Sequence, residues 1–158
     1  MSKEVFILLL ALLVLAFITV NSLLRREEIV LRRGVIRSEE APEAIGPYSQ
    51  AIQVGNMLFC SGQIPIDPQT GELATGAIQK QTRIVLDNLG AVLREADMNY
   101  SDVVKVTLFL SDLDDYDEVN ETYARYFREN PPAREAVQVA GLPKGVGVEI
   151  SMVAMKTE

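Results

Sequence analysis

The chain has 158 residues, with 15 Lys and Arg, 22 Asp and Glu, no His and a single Cys, for a formal net charge of −7; that is enough for one domain with a real core. Without histidine, His-based triads and His-ligated metals are excluded, and Cys60 alone builds neither a disulfide framework nor a zinc cluster. From Val35 onward 10 Lys and Arg stand against 19 Asp and Glu, a net of −9, which disfavours a nucleic-acid partner, because phosphate-backbone binding rests on clustered Lys and Arg.

Every residue from Val5 to Ile18 is apolar, and the character continues with brief polar breaks to Leu24. Twenty residues span about 30 Å as a helix, the hydrocarbon thickness of a bilayer. With no polar face, the segment is a poor core helix for a small domain. Residues 1–24 are therefore read as a single-pass transmembrane anchor. A cleaved signal peptide is the alternative; against it, the run exceeds the usual ~7–15 apolar residues and no small-x-small cleavage site follows. Lys3 precedes the run, whereas Arg25, Arg26, Arg32 and Arg33 follow it, so the positive-inside tendency places the C-terminal domain in the cytoplasm. Residues 25–34 read as a charged juxtamembrane linker, and the domain as 35–158.

Ala41 to Tyr48 contains two prolines and a glycine, the mark of an ordered loop. Ile52–Val54, Gly55-Asn56 and Met57–Cys60 read as a β-hairpin with a two-residue turn. Between Ala77 and Ala96 the apolar positions Ile78, Val85, Leu86, Leu89, Val92, Leu93 and Ala96 keep helical spacing. Val103–Leu110 is β-branched and alternating, with Val104, Val106, Leu108 and Leu110 on one side. A second helix follows, capped by Asp112 or Asp114, with Tyr116, Val119, Tyr123, Tyr126 and Phe127 as its inner stripe and Pro131-Pro132 as its stop. Arg134–Ala140 and Val146–Met155 close the chain as strands. The order ββ-α-β-α-ββ is an α+β layer, with two helices on one face of a mixed sheet.

Four polar residues break the packing pattern. Asn120 lies on the apolar face of the second helix, as a core amide or a site group. Arg134 opens a strand after Pro-Pro-Ala; its planar fork suits a carboxylate, in a structural salt bridge or on a ligand. Glu149 sits mid-strand between Val148 and Ile150, which point to the opposite face. Tyr48 follows Gly46-Pro47 in the rigid loop, where packing is the plainer role.

The segment Ala41-Pro42-Glu43-Ala44-Ile45-Gly46-Pro47-Tyr48-Ser49-Gln50-Ala51 resembles the opening motif of the RidA (YjgF-type) family of enamine/imine deaminases. Further resemblances follow in the family's order: Ser61-Gly62-Gln63-Ile64-Pro65, Gln81-Thr82-Arg83 through Asn88, Lys105-Val106-Thr107 through Leu113, Pro132-Ala133-Arg134, Leu142-Pro143-Lys144 and Val148-Glu149-Ile150. The match covers roughly residues 36–156; the hydrophobic N-terminus departs from the family pattern. The resemblance implies a chorismate-mutase-like fold, a homotrimer with sites in the clefts between subunits, and hydrolysis of intermediates such as 2-aminoacrylate in its imine form to 2-keto acids and ammonia, with no cofactor or metal. Residue by residue, Arg134 matches the arginine that holds the substrate carboxylate and Glu149 the acid near the attacking water. Tyr48, Ser61 and Asn120 match residues lining the same cleft. At Ala136, two positions after the arginine, deaminase members often carry a cysteine, and Cys60 is not that cysteine.

The chemistry of such a substrate agrees with this set. A bidentate cation orients the carboxylate, and without histidine or metal a carboxylate is the natural proton carrier. Its pKa would be raised by the cleft and opposed by a nearby Arg134. The rival reading is a non-catalytic module that holds small carboxylates or docks a partner at the membrane.

Overall fold

The computed structural model describes residues 2–24 and 32–157. The chain forms two units, one carrying the N-terminal helix and one carrying everything from the first strand onward.

Helix α1 (Lys3–Leu24) has 22 residues. Ser2 Oγ accepts from Val5 N–H at 3.3 Å, satisfying one of the free N-terminal donors. The described side chains from Val5 to Val20 are exposed, so nothing in this unit covers the apolar surface. The helix is long and apolar enough to cross a membrane.

The second unit is a six-stranded sheet in the order β1-β2-β3-β6-β4-β5. Its strands are β1 (Arg33–Ile36), β2 (Ala51–Val54), β3 (Met57–Gln63), β4 (Val103–Leu110), β5 (Ala133–Gln138) and β6 (Val148–Met155). The hairpin forms where the turn signal places it, with Gly55 at φ 60°, a left-handed conformation that costs glycine little. β1 is an addition to the expected order: it begins at Arg33, two residues inside the stretch read as linker, and pairs with β2. The stretch 25–31 lies outside the described residues.

β3 and β4 both run antiparallel to β6, and β5 runs parallel to β4. Each parallel step needs a crossover. Helix α2 (Ile78–Glu95) makes the first and α3 (Tyr116–Tyr123) the second. Both cover one face of the sheet. There Leu58, Cys60, Val106, Leu108, Val148 and Ile150 meet Val85, Leu89, Val92, Val119 and Phe127 in one buried cluster. The Cys60 thiol lies in this cluster, and burial pushes its pKa up to about 12. Two members of the expected stripe fall outside α3, which ends at Tyr123. The chain tightens into turns there, with Tyr126 N–H and Phe127 N–H both donating to Tyr123 O. Phe127 stacks on Tyr123 with ring centroids 4.4 Å apart, so packing continues where the helix does not.

The opposite face of the sheet is open. Along β6 burial alternates strictly, so Val148, Ile150, Met152 and Ala154 lie under the helices and Glu149, Ser151, Val153 and Met155 on the open side. Phe59, paired with Val153, is 42% exposed.

Candidate active site

The register between β3 and β6 slips at one point. Cys60 pairs with Met152 and Gln63 with Ile150, so three steps on β3 oppose two on β6. The extra residue makes a bulge at Ser61–Gly62. Bulges bend a strand and re-aim its side chains, and here the bulge clears a place for Glu149. A Cβ on Gly62 would collide with Glu149 Oε1 and come within 2.8 Å of its Cδ. Only glycine leaves room for the carboxylate.

Glu149 faces a cleft of about 280 Å³ lined by Ile45, Tyr48, Ser61, Gly62, Ile64, Pro143 and itself. Among the described residues its carboxylate has no hydrogen-bond or ion-pair partner, and desolvation raises its pKa above the ordinary carboxylate value. Ser61 Oγ donates to Ser49 O at 2.7 Å, and Tyr48 Oη accepts from Ile45 N–H at 3.2 Å. The cleft thus combines apolar walls with one unpaired carboxylate and two hydroxyls.

Arg134 stands elsewhere. On β5 it pairs with Val106, a residue buried under the helices, whereas Glu149 pairs with Phe109 on the open face. The two side chains therefore point to opposite faces, with β4 between their strands and a three-residue offset along the sheet. Arg134 Nη2 donates to Asn120 Oδ1 at 2.7 Å and to Tyr116 Oη at 3.1 Å. Its guanidinium lies 4.6 Å from the Tyr123 ring centroid, a cation–π distance. Burial pushes the Tyr123 phenol up to about 12, with Arg134 opposing. Ala136 shares the Arg134 face, next to Leu108.

Two sequence expectations are settled by this geometry. Asn120 is not a core amide held by backbone; it fixes Arg134. Arg134 makes no structural salt bridge: the ion pairs among the described residues are Arg37–Glu43, Arg94–Glu40 and Lys105–Glu135. Among the described residues its positive charge is held by neutral groups alone. Within a single chain the sheet separates Arg134 from Glu149, and burial is the resolved cause of the rise in Glu149 pKa. Tyr48, Ser61 and Glu149 come together in one cluster, and Asn120, Ala136 and Arg134 in another.

Sequence reasoning assigned no role to Gly62, Tyr116 or Tyr123. A glycine inside a strand is a signal of close approach and marks Gly62; the tyrosines read only as core. A larger open depression of about 600 Å³ lies beside α2 and includes Glu39, Glu40, Asp67, Asp87 and Arg94. Most of its groups are engaged locally: Asp67 caps a turn, Asp87 accepts from Tyr126 Oη at 2.8 Å and Arg94 pairs with Glu40. Glu149 and Arg134 both lie elsewhere.

Residues 38–156 match the family model described as Endoribonuclease L-PSP, a span that leaves α1 outside. A RutC family protein of Pyrococcus abyssi is 52% identical over 126 residues, covering 80% of this chain and 99% of that one. The human 2-iminobutanoate/2-iminopropanoate deaminase is 46% identical over 126 residues, covering 80% and 92%. The structure of E. coli TdcF with bound serine superposes with a TM-score of 0.76 at 42% identity, covering 78% and 99%. With its sheet, its crossover helices and most of its length shared, the chain belongs to the Endoribonuclease L-PSP (RidA) family.

Proposed function

We propose that this protein hydrolyses imino acids of the 2-iminopropanoate type to 2-keto acids and ammonia, at a site completed by two copies of the chain. The observation that carries the reading is the separation of two chemically complementary clusters. One offers an unpaired carboxylate in a half-apolar cleft; the other offers a guanidinium with neutral partners only. The open sheet face, with Phe59, Val153 and Phe109 uncovered or half-covered, is the kind of apolar surface that association buries. A homotrimer about that face sets Tyr48, Ser61 and Glu149 of one copy against Arg134, Asn120 and Ala136 of its neighbour.

The mechanism follows from the groups. Arg134 binds the substrate carboxylate, as its fork geometry favours; bound serine in TdcF is a small carboxylate of the same kind. Water attacks the imine carbon, its proton passing to Glu149 while the C=N pair moves to nitrogen, and Glu149 returns that proton to the nitrogen to give the carbinolamine. Glu149 then takes the hydroxyl proton as the C=O forms and delivers it to the nitrogen as the C–N bond breaks, so that ammonia departs and the carboxylate is restored. A carboxyl with a raised pKa is better matched to both proton transfers near neutral pH. The names of the human and mouse relatives, 46% and 45% identical, support this chemistry. The nuclease description of the family model finds less support here, given the net charge of −9 from Val35 onward and the absence of histidine.

In this reading α1 is a retained single-pass anchor with the domain on the cytoplasmic side, so that a trimer joins three helices in one membrane patch and strengthens attachment. Protease protection of the domain in sealed vesicles tests the orientation. For activity, 2-aminoacrylate is generated in solution by a dehydratase and keto-acid release is followed with and without the full chain in detergent. Accelerated release is expected; none at high protein concentration would favour a non-catalytic carboxylate-binding module instead.

A further inference from the structure

Of the polar side chains that the proposed chemistry leaves unused, Gln50 is the most heavily bonded. It is 5% exposed and closes the segment joining β1 to β2. Its Oε1 accepts from Ser38 N–H at 2.7 Å. Its Nε2 donates to Ser38 O at 3.1 Å, Ala41 O at 3.2 Å and Pro42 O at 2.7 Å. All four partners are backbone atoms of residues 38–42, a stretch without regular secondary structure. One side chain here takes the place that a ladder of main-chain bonds holds elsewhere.

The main chain of Gln50 is tied on the other side. Gln50 O accepts from Ser61 N–H at 2.9 Å, and Ser49 O from Ser61 Oγ at 2.7 Å. Gln50 thus joins the bulge of β3 to residues 38–42. Between these two fixed points runs the stretch 43–48, which carries Ile45 and Tyr48 into the Glu149 cleft. The hydrogen bonds within that stretch are local: Ile45 N–H to Tyr48 Oη and Tyr48 N–H to Gly46 O. The Arg37–Glu43 ion pair at its start is exposed on both sides, and exposed pairs contribute little. We infer that Gln50 is a positioning residue, the clamp that sets the outer wall of the cleft, Ile45 and Tyr48, against Glu149.

The inference rests on the deaminase reading only for its kinetic readout, and two measurements on the full chain in detergent keep them distinguishable. The first is native-state hydrogen exchange. In the unsubstituted protein, Ser38 N–H is expected to be as protected as the β2–β3 amides. Gln50→Glu keeps the size and the Oε1 acceptor but removes both N–H donors; Gln50→Leu removes all four bonds. In each, exchange across 38–48 should accelerate about tenfold or more while β4 and β6 stay protected. The second is kinetic. kcat/KM should fall by up to about 10²-fold, as expected for displaced site groups, mostly through KM. Adding Tyr48→Ala to Gln50→Glu should cost little beyond Tyr48→Ala alone. An unprotected Ser38 amide in the unsubstituted protein, uniform acceleration over the whole domain, or fully additive losses with Tyr48→Ala would overturn the inference. Absence of imine hydrolysis by the unsubstituted protein would sink the deaminase reading instead, with the exchange result still deciding the role of Gln50.

Discussion

The Glu149 cleft and the Arg134 edge are built by opposite means. At Glu149 the fold takes partners away: a bulge, a glycine without a side chain and walls of Ile45, Ile64 and Pro143 leave a carboxylate with nothing to bond to and a raised pKa. At Arg134 the fold supplies partners, yet none that carries a charge: Asn120 and Tyr116 accept hydrogen bonds and Tyr123 offers a ring face. A buried-edge guanidinium normally finds a carboxylate. Holding it with neutral groups fixes its direction and, in the proposed reading, keeps its charge for a ligand. In that reading neither region is a complete site, and the sheet keeps them apart within one chain.

The largest expected effects come from deleting either charge. Arg134→Ala and Glu149→Gln should each lower kcat/KM for imine hydrolysis by roughly 10²–10⁴-fold with the circular dichroism spectrum unchanged. The two should differ in pH dependence. Glu149 acts as a base when ionised and its pKa is raised, so the unsubstituted enzyme should lose activity as pH falls through a value above the ordinary carboxylate range. Arg134→Ala should retain that limb and Glu149→Gln should abolish it. A shared pH profile would mean that the two regions are one titrating unit after all.

Gly62→Ala comes next. It introduces a Cβ into the space of Glu149 Oε1, so either the carboxylate or the bulge must move. A loss of about 10²-fold in kcat is expected, with KM nearly constant because Arg134 is untouched. Asn120→Ala should be milder, raising KM about tenfold by freeing the guanidinium. Ala136→Cys should be smallest, within roughly threefold, since Ala136 faces the Arg134 side without bonding to it and near-isosteric changes are tolerated. A large gain would make the thiol a chemical participant that this chain lacks.

Much of the fold was legible in residue periodicity. The alternation of Val103–Leu110 gave β4 its limits and, from Val106 to Leu110, its faces; at the start the register shift between Val103 and Lys105 buries Val103 and exposes Val104, which the alternation groups with Val106. The spacing from Ile78 to Leu93 gave α2 its buried stripe. β1 was not, because Arg-Gly-Val-Ile carries too few alternating positions to stand out beside a charged run. The early end of α3 was hidden because Tyr126 and Phe127 pack in turns as they would on a helix. For the site, the neighbours of Glu149 showed which way it points. What they could not show is the strand order, which sets β4 between Glu149 and Arg134. That depends on crossovers that close over 39 residues between β3 and β4 and 22 between β4 and β5. Gln50 was illegible for a related reason: its partners are loop backbone, whose shape no pattern of side chains records.

Subunit mixing tests the central claim most directly. Arg134→Ala and Glu149→Gln chains, carrying different tags, are co-expressed at equal levels, and assemblies bearing both tags are assayed. If each site takes Glu149 from one copy and Arg134 from its neighbour, every trimer bearing both tags has one intact site in three and should restore about a third of the unsubstituted activity, from two nearly inactive parents. Mixed assemblies no more active than either parent would place both residues of a working site on the same chain and contradict the account.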